Sequence, residues 1–206
     1  YWFGEASRIS PEAPVPVIKV ADIENRPGGA ANVAHNMATL TAQVQLLAFV
    51  GDDEPGQALK QSLTANGVEC HFICPQAAKT HTKLRMYSKQ QQLLRVDFAE
   101  YYHNEAHEKF IESFKALLGG VDVVVFSDYA KGSLLEMSTL VQLAKAANKK
   151  VLVHPSAANI DQVQDVDCLI VNQATLVAAM QTPNFDEHFD GQVSACRLYT
   201  SPSQRN

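Results

Sequence analysis

Two groups of residues have the types and spacing that ligand binding requires, and the first is a pair of glycines. Gly28 and Gly29 precede apolar residues at i, i+3 and i+4 spacing, which predicts a helix that begins on the glycines. Asn32, in the first turn of that helix, offers a donor and an acceptor to a polyhydroxylated ligand. The segment lacks the third glycine of a dinucleotide fingerprint and the Gly-Lys-Ser/Thr of a P-loop. Close approach of the backbone to a ligand is one interpretation, and a tight turn packed on a sheet is the other.

The second group consists of charged residues on two strand-like runs joined by a polar turn. Lys83 and Arg85 are two residues apart and share one strand face, as do Arg95 and Asp97 on the partner run. If the connecting loop has an odd residue count, Lys83 faces Asp97 and Arg85 faces Arg95. An even count places the two pairs on opposite faces. The hairpin face is therefore either a cationic binding surface or a solvated charged face.

Histidine and cysteine residues form no recognisable metal or nucleophile pattern. The nearest cluster, Cys70, His71 and Cys74, lies on a predicted strand and has no second pair of ligands. His35 follows the glycines and could line a pocket, with a surface position as the alternative. No Ser/His/Asp or Cys/His arrangement for nucleophilic catalysis stands out. We expect no metal site built from these side chains.

Strands and helices alternate along most of the chain, and this alternation positions the two groups. Short apolar strands between amphipathic helices predict an α/β fold with a mostly parallel, doubly wound sheet. Prolines keep the run at 15–20 on a sheet edge, as a flap or lid, and residues 79–98 form a hairpin. The predicted strands lie at 15–20, 44–50, 68–73, 79–87, 92–98, 121–126, 151–153 and 168–171, and the predicted helices at 30–40, 55–66, 104–118, 133–147 and after residue 172.

The carboxyl ends of the predicted parallel strands carry most of the polar loop residues. In open parallel sheets, ligands bind outside these ends. Here the ends carry Gly51-Asp52-Asp53, residues 127–132, His154-Pro155-Ser156 and Asn172. The sequence therefore predicts the functional site at this edge of the sheet.

Composition excludes several classes of protein. The chain has 206 residues, of which 46% are hydrophobic, so it can fill a core. With 17 Lys and Arg against 22 Asp and Glu, the net charge is −5. The sequence has no basic stripe of the kind that binds nucleic acid, so a nucleic-acid partner is not expected. No apolar run approaches the roughly 20 residues that span a bilayer. Four cysteines without framework spacing favour a cytoplasmic location.

The two ends of the chain differ in pattern from the middle. The chain opens on Tyr1 without a methionine or a signal-like segment, so we expect the true start to lie upstream. The apolar pattern fades from Gln181 onward, and residues 196–206 resemble the translation of a sequencing-library adapter. We predict one domain over residues 1–180 and a non-homologous tail over 181–206.

Five segments together carry a resemblance to a known family. They are residues 7–17 (SRISPEAPVPV), 26–36 (RPGGAANVAHN), 82–85 (TKLR), 91–98 (QQLLRVDF) and 127–132 (SDYAKG). The sequence resembles the ribokinase-like (PfkB) sugar kinases and, among them, the bacterial D-glycero-β-D-manno-heptose-7-phosphate kinases, from residue 1 to about residue 180. The order and number of the segments make this resemblance more specific than any single motif.

The resemblance implies a fold and an activity. The fold would be a ribokinase-like three-layer α/β/α sandwich with a small β lid near residues 8–20 and 79–98, incomplete in this chain. The activity would be transfer of the γ-phosphoryl group of ATP, with Mg²⁺, to the anomeric hydroxyl of heptose 7-phosphate, on the route to ADP-heptose and lipopolysaccharide. A homodimer formed through the lid is implied as well. The alternatives are another PfkB-type sugar kinase and a non-catalytic protein that binds a sugar phosphate or a partner protein.

The resemblance also implies roles for individual residues. Gly28, Gly29 and Asn32 would contact sugar hydroxyls. Lys83 and Arg85 would hold the phosphate of the substrate through charge-assisted hydrogen bonds. Further substrate-binding residues would be Arg8 and Ser10 in the lid and Asp128 and Lys131 in the cleft, and Asn172 would contact the cofactor.

The sequence departs from the family pattern at two strand ends. The family's Asp-Pro-Lys is His154-Pro155-Ser156 here, and the Glu of its Asn-x-x-Glu motif, which helps to order Mg²⁺, is replaced by Thr175. The family's first strand, with its sugar-binding Asp, and its Gly-Ala-Gly-Asp segment, with the anion hole and catalytic base, lie outside this chain. We therefore expect the chain to retain the substrate side of the site and to lack the catalytic base.

Overall fold

The computed structural model describes residues 1–98 and 105–180, which contain nine strands and five helices. The strands are β1 (Trp2–Ile9), β2 (Pro16–Ile23), β3 (Val44–Phe49), β4 (Val68–Ile73), β5 (Thr82–Ser88), β6 (Gln91–Phe98), β7 (Val123–Ser127), β8 (Lys150–His154) and β9 (Cys168–Leu169). The helices are α1 (Gly29–Thr39), α2 (Glu54–Ala65), α3 (Glu105–Leu117), α4 (Met137–Ala146) and α5 (Gln173–Met180). None of the described helices is long and apolar enough to span a membrane. The predicted tail at 181–206 lies outside the described residues.

The core strands are parallel, as predicted, but they form two sheets rather than one. Strand β3 pairs with β4, and β7, β8 and β9 form a second sheet in that order. A cavity of about 190 Å³ lies between β3 and β7 and is lined by both strands. No strand within residues 1–98 or 105–180 joins β3 to β7 through this space.

Helices cover both faces of the parallel strands, which gives the three layers. Successive strand residues point to opposite faces. In β3, Val44 and Leu46 pack in one apolar cluster with α1 and α2, whereas Phe49 packs in a second cluster with α3, α4, β7 and β8. Two residues of α4, Met137 and Ala144, are fully buried in the second cluster. The α/β fold predicted from alternating strands and helices is confirmed.

The lid is a separate four-stranded sheet with the order β2, β1, β5, β6. Strand β2 lies at one edge, as its prolines predict, and β5 and β6 form the predicted hairpin. The sequence pattern does not predict β1, because the strand has no continuous apolar face: four of its eight residues are partly buried and four are exposed. Strand β1 nevertheless connects the lid sheet, because it pairs with β2 on one side and with β5 of the β5–β6 hairpin on the other.

Several predicted boundaries differ from the structure by one to four residues: β2 ends at Ile23, β7 spans Val123–Ser127, β9 ends at Leu169, and two further starts have an identifiable cause. The strand expected from residue 79 begins at Thr82, because Thr80 is buried and bonded to the core rather than to a neighbouring strand. The helix expected from residue 133 begins at Met137. Residues 133–136 form turns, and Leu134 is buried among them, which accounts for the apolar signal there.

The base of the lid is tied to the core by Asp53. Its carboxylate caps α2 by accepting from the Gly56 N–H (3.0 Å), and it also accepts from the Thr80 N–H (2.9 Å) and the Thr80 hydroxyl (2.5 Å). Burial is the largest single cause and raises the pKa of Asp53. The hydrogen bonds from Thr80 and Gly56 together lower the pKa by more than burial raises it, so the net pKa is below its ordinary value. One ionised side chain therefore holds both the start of α2 and the segment that leads into β5.

We predict that Asp53→Ala lowers the free energy of unfolding at pH 7 by about 1–2 kcal/mol, as expected for a lost helix cap. Because the folded pKa is lowered, the stabilisation is fully present above the unfolded pKa of about 3.9 and is lost as the pH falls through the folded value. Urea unfolding of both proteins between pH 3 and pH 7 would measure this difference. Asp52→Ala, at the exposed neighbouring position, is the matched control. A difference that stays constant down to pH 3 would contradict the role of the ionised carboxylate.

Candidate functional site

The two glycines at the start of α1 have different backbone requirements. Gly28 is extended (φ −120°) and precedes the helix, with open space where a side chain would begin. Gly29 has φ +53°, and a Cβ built on it would lie 3.3 Å from the ring of Tyr129. Asn32, one turn further, is exposed. The helix start therefore presents backbone and an amide side chain to solvent beside an aromatic ring.

The loop after β7 reaches this helix start and is fixed by a buried carboxylate. Asp128 is 4% exposed and accepts from the Ala130 N–H (2.8 Å) through one oxygen. Its other oxygen accepts from the hydroxyl (2.6 Å) and the N–H (3.2 Å) of Ser156 and from the side chain of Asn159 (2.8 Å). The carboxyl ends of β7 and β8 thus meet, as predicted, and the ring of Tyr129 lies 5.8 Å from that of His154.

The register of the lid hairpin places all four charged residues on one face. Lys83 pairs with Asp97 and Arg85 with Arg95. This is the arrangement expected from an odd connecting loop, although β5 and β6 are separated by only two residues. A register shift between Met86 and Tyr87 supplies the additional residue on β6. We call Lys83, Arg85, Arg95 and Asp97 the cationic face.

The electrostatics of Asp97 connect the cationic face to the loop after β7. Asp97 accepts two hydrogen bonds from the guanidinium of Arg95, at 2.7 and 2.5 Å. Those hydrogen bonds are the largest cause and lower the pKa of Asp97; burial opposes them, and the charges of Arg95, Lys83 and Lys131 lower the pKa further. The charge of Lys131, in the loop after β7, is one of these causes, so the core loop and the lid interact electrostatically. The cationic face thus carries three cations, Lys83, Arg85 and Arg95, and one carboxylate, on which the charge of Lys131 also acts.

Aromatic residues continue the cationic face along the lid. Tyr1, Phe3 and Tyr87 stack with ring centroids 5.6 to 6.3 Å apart. The guanidinium of Arg85 lies 5.3 Å from the ring centroid of Tyr1, and that of Arg26 lies 4.4 Å from it. These cation–π contacts limit the positions that the Arg85 side chain can adopt.

Not every predicted site residue joins this group. Arg8 lies at the far end of β1, four residues beyond the Gly4–Ser88 pair, whereas Lys83 lies five residues before it on a parallel strand. At about 3.3 Å per residue, the two are roughly 30 Å apart along the sheet. Ser10 directly follows β1, and its hydroxyl accepts from the Glu12 N–H (3.2 Å). Within one chain, Arg8 and Ser10 do not share the cleft of Lys83.

Asn172 lies at the predicted sheet edge, after β9, but its side-chain oxygen already has a partner. It accepts from the Thr175 N–H (2.7 Å) and so caps α5. Among the described residues, no group of three or more His, Cys, Asp or Glu residues could hold a metal ion. We therefore derive no step through a metal.

Three residues of the site were not singled out by the sequence. Tyr129 lies within a noted segment, but its contact with Gly29 depends on how the loop folds. Ser156 was noted only as a departure from the family pattern, although it is a hydrogen-bond donor to Asp128. Asn159 is 31 residues from Asp128 in sequence, and no local pattern predicts that contact.

The fold and this edge-and-lid arrangement define a class of sugar kinase, and comparisons with known proteins agree. The family model described as "pfkB family carbohydrate kinase" matches residues 3–194 of this chain. The chain is similar to solved structures of a carbohydrate kinase from Agrobacterium tumefaciens (TM-score 0.67, 16% identity, covering 92% of this chain and 63% of the other) and of phosphofructokinase-2 from Escherichia coli (TM-score 0.65, 16% identity, 93% and 65%). The chain belongs to the pfkB family of carbohydrate kinases.

Curated relatives are more similar to this chain in sequence than these solved structures are. The chain is 45% identical over 172 residues to the "Bifunctional protein HldE" of Aliivibrio fischeri strain MJ11, covering 84% of this chain and 36% of the relative. It is 41% identical over 197 residues to the "Bifunctional protein HldE" of Klebsiella pneumoniae strain MGH 78578, covering 96% and 39%. The chain thus spans less than two-fifths of the length of these relatives.

We predict that Gly29→Ala and Gly28→Ala differ in their effect on stability. Gly29→Ala forces a side chain into the left-handed region and against Tyr129, so it lowers the free energy of unfolding by about 1–2 kcal/mol. Gly28→Ala adds a methyl group to an extended residue in open space, so the free energy of unfolding changes by no more than about 0.5 kcal/mol. Chemical denaturation of the two variants measures both values. Equal losses would contradict the geometry of this helix start.

Proposed function

We propose that the chain is the substrate-binding part of a kinase that phosphorylates D-glycero-β-D-manno-heptose 7-phosphate at its anomeric hydroxyl, giving the 1,7-bisphosphate for ADP-heptose and lipopolysaccharide synthesis. The observation that carries the proposal is the cationic face of the lid, where the strand register brings Lys83, Arg85 and Arg95 to one side of the hairpin. Identities of 41–46% with HldE proteins support the choice of this sugar kinase over others. The proposed location is the cytoplasm.

The two parts of the cleft suit the two parts of such a substrate. A phosphate dianion is bound best by charge-assisted hydrogen bonds. Lys83 and Arg85, two residues apart on one face of β5, can donate such bonds. Sugar hydroxyls need donors and acceptors at close range. The open space at Gly28 admits a hydroxyl group to the backbone, and exposed Asn32 offers both hydrogen-bonding functions.

The phosphoryl donor in the proposed reaction is ATP with Mg²⁺. Asn172 lies at the sheet edge where a nucleotide would approach, but its oxygen caps α5, which leaves its amide N–H groups to contact the cofactor. The sequence of residues 1–206 contains no Gly-Ala-Gly-Asp segment. Because phosphoryl transfer depends on positioning and charge stabilisation, we propose that this chain alone binds the sugar phosphate without turning it over.

A second candidate function is non-catalytic binding of a sugar phosphate. Three departures from the family pattern favour it, at His154, Ser156 and Thr175. Ser156 replaces a cation by a neutral hydroxyl that is committed to Asp128, and Thr175 offers no carboxylate near Asn172. Both candidates require the same binding surface, and they differ in whether the protein carrying this segment turns over ATP.

We predict that Lys83→Ala and Arg85→Ala each weaken binding of heptose 7-phosphate by about tenfold or more, because a hydrogen bond to a charged group contributes about 1.5–3 kcal/mol. Isothermal titration calorimetry on the 206-residue chain measures the affinity. Lys19→Ala, on the edge strand β2, is the matched control and leaves the affinity unchanged. Unchanged affinity in both Lys83→Ala and Arg85→Ala would contradict the assignment, as would an equal loss for the sugar without its phosphate.

We further propose that the lid forms a homodimer. Strand β2 is an unpaired edge within the described lid, and Val15, Val20 and Ile23 on or beside it are 37–55% exposed. Leu94 of β6 is also 51% exposed. Since Arg8 and Ser10 lie far from Lys83 in their own chain, we assign them to the cleft of the second subunit.

The expected result in sedimentation equilibrium is a dimer at micromolar protein concentration. Val20→Asp places a charge at the contact and yields monomers, because burying an unpaired carboxylate is unfavourable. Leu40→Asp, at the exposed C-terminal end of α1 in the core, is the matched control and remains dimeric. A wild-type monomer at these concentrations would contradict the proposal.

A further inference from the structure

The strand end that departs from the family pattern contains a donor aimed at a buried charge. Ser156 takes the position of the family's Lys, yet both its hydroxyl and its N–H donate to the same oxygen of Asp128. Asn159, in the turn that follows, donates to that oxygen as well. Three donors on one oxygen of a residue that is 4% exposed compensate much of the cost of burying its charge.

The other oxygen of Asp128 stabilises an unfavourable backbone conformation two residues later. It accepts from the Ala130 N–H at 2.8 Å, and Ala130 has φ +52°, in the left-handed region that non-glycine residues rarely adopt. An aspartate that bonds the backbone two residues on is a known way to hold such a turn. Asp128 therefore connects the loop after β8 to the shape of the loop after β7.

The residue that this turn directs is Lys131. It directly follows Ala130 and is partly buried, and its charge is one of the causes that lower the pKa of Asp97 in the lid. If Ala130 relaxed to an ordinary conformation, the chain direction at Lys131 would change. The position of this cation thus depends on Asp128 and on the donors that fix it.

We propose that Ser156 and Asn159 are positioning residues that hold Lys131 in the sugar-phosphate cleft through Asp128. The proposal rests on the proposed function, since it takes Lys131 to contact the phosphorylated substrate. The departure from Asp-Pro-Lys at this strand end then replaces a cation by a hydrogen-bonded support for another cation, Lys131. The support acts within one chain and requires no residue outside 1–180.

A double-mutant cycle between Ser156 and Lys131 tests this inference on the 206-residue chain. The affinity for heptose 7-phosphate is measured by calorimetry for the wild type, Ser156→Ala, Lys131→Ala and the double variant. We expect Ser156→Ala to weaken binding about three- to tenfold, in the range of changes along coupled networks. In the Lys131→Ala background the same change has no further effect, because the residue it positions is gone.

Two further variants separate positioning from a general loss of stability. Ser156→Thr keeps the hydroxyl donor and retains wild-type affinity, whereas Ser138→Ala, at an exposed position of α4, is the neutral control. If Ser156→Ala does not fold, Asn159→Ala takes its place in the cycle, since it removes one donor and leaves two on the same oxygen.

The outcomes distinguish this inference from the proposed function. Equal losses for Ser156→Ala in both backgrounds, or no loss for Lys131→Ala, overturn the positioning role while Lys83→Ala still weakens binding. If Lys83→Ala, Arg85→Ala and Lys131→Ala all bind heptose 7-phosphate as the wild type does, the proposed function fails and the positioning role fails with it.

Discussion

A buried carboxylate must be matched by hydrogen-bond donors, and the way Asp128 meets this requirement organises one side of the cleft. Its donors come from two loops, after β7 and after β8, so the two loops cannot move independently. The same loop brings Tyr129 against Gly29, which joins the start of α1 to this unit. Three segments far apart in sequence thus form one wall of the cleft.

A second carboxylate, that of Asp53, connects the lid to the core on the opposite side of the cleft. Asp53 caps α2 and also accepts hydrogen bonds from Thr80, two residues before β5 begins. The start of the strand that carries Lys83 and Arg85 is therefore held to the core. Asp97 then relates the lid to Lys131 through charge. The wall formed by the loops supplies backbone and neutral polar groups, and the lid supplies most of the cations. This division of chemistry suits a ligand with hydroxyls at one end and a phosphate at the other.

Much of this arrangement could be predicted from sequence, because local patterns encode it. Apolar runs located β3 and β7, and the position of Gly28-Gly29 located the start of α1. The pairing of Lys83 with Asp97 was left open, since it depends on a register shift that the sequence does not reveal. Strand β1 was missed because it is held by two neighbouring strands rather than by an apolar face. The contacts of Asp128 with Ser156 and Asn159 span 28 and 31 residues, and no local spacing carries such information.

A crystal structure of the 206-residue chain with heptose 7-phosphate is the most direct test of the account. The account predicts that the phosphate lies within hydrogen-bonding distance of Lys83 and Arg85, with sugar hydroxyls at the backbone of Gly28 and the side chain of Asn32. A sugar phosphate bound with its phosphate away from the cationic face, or with its sugar away from the start of α1, would contradict it.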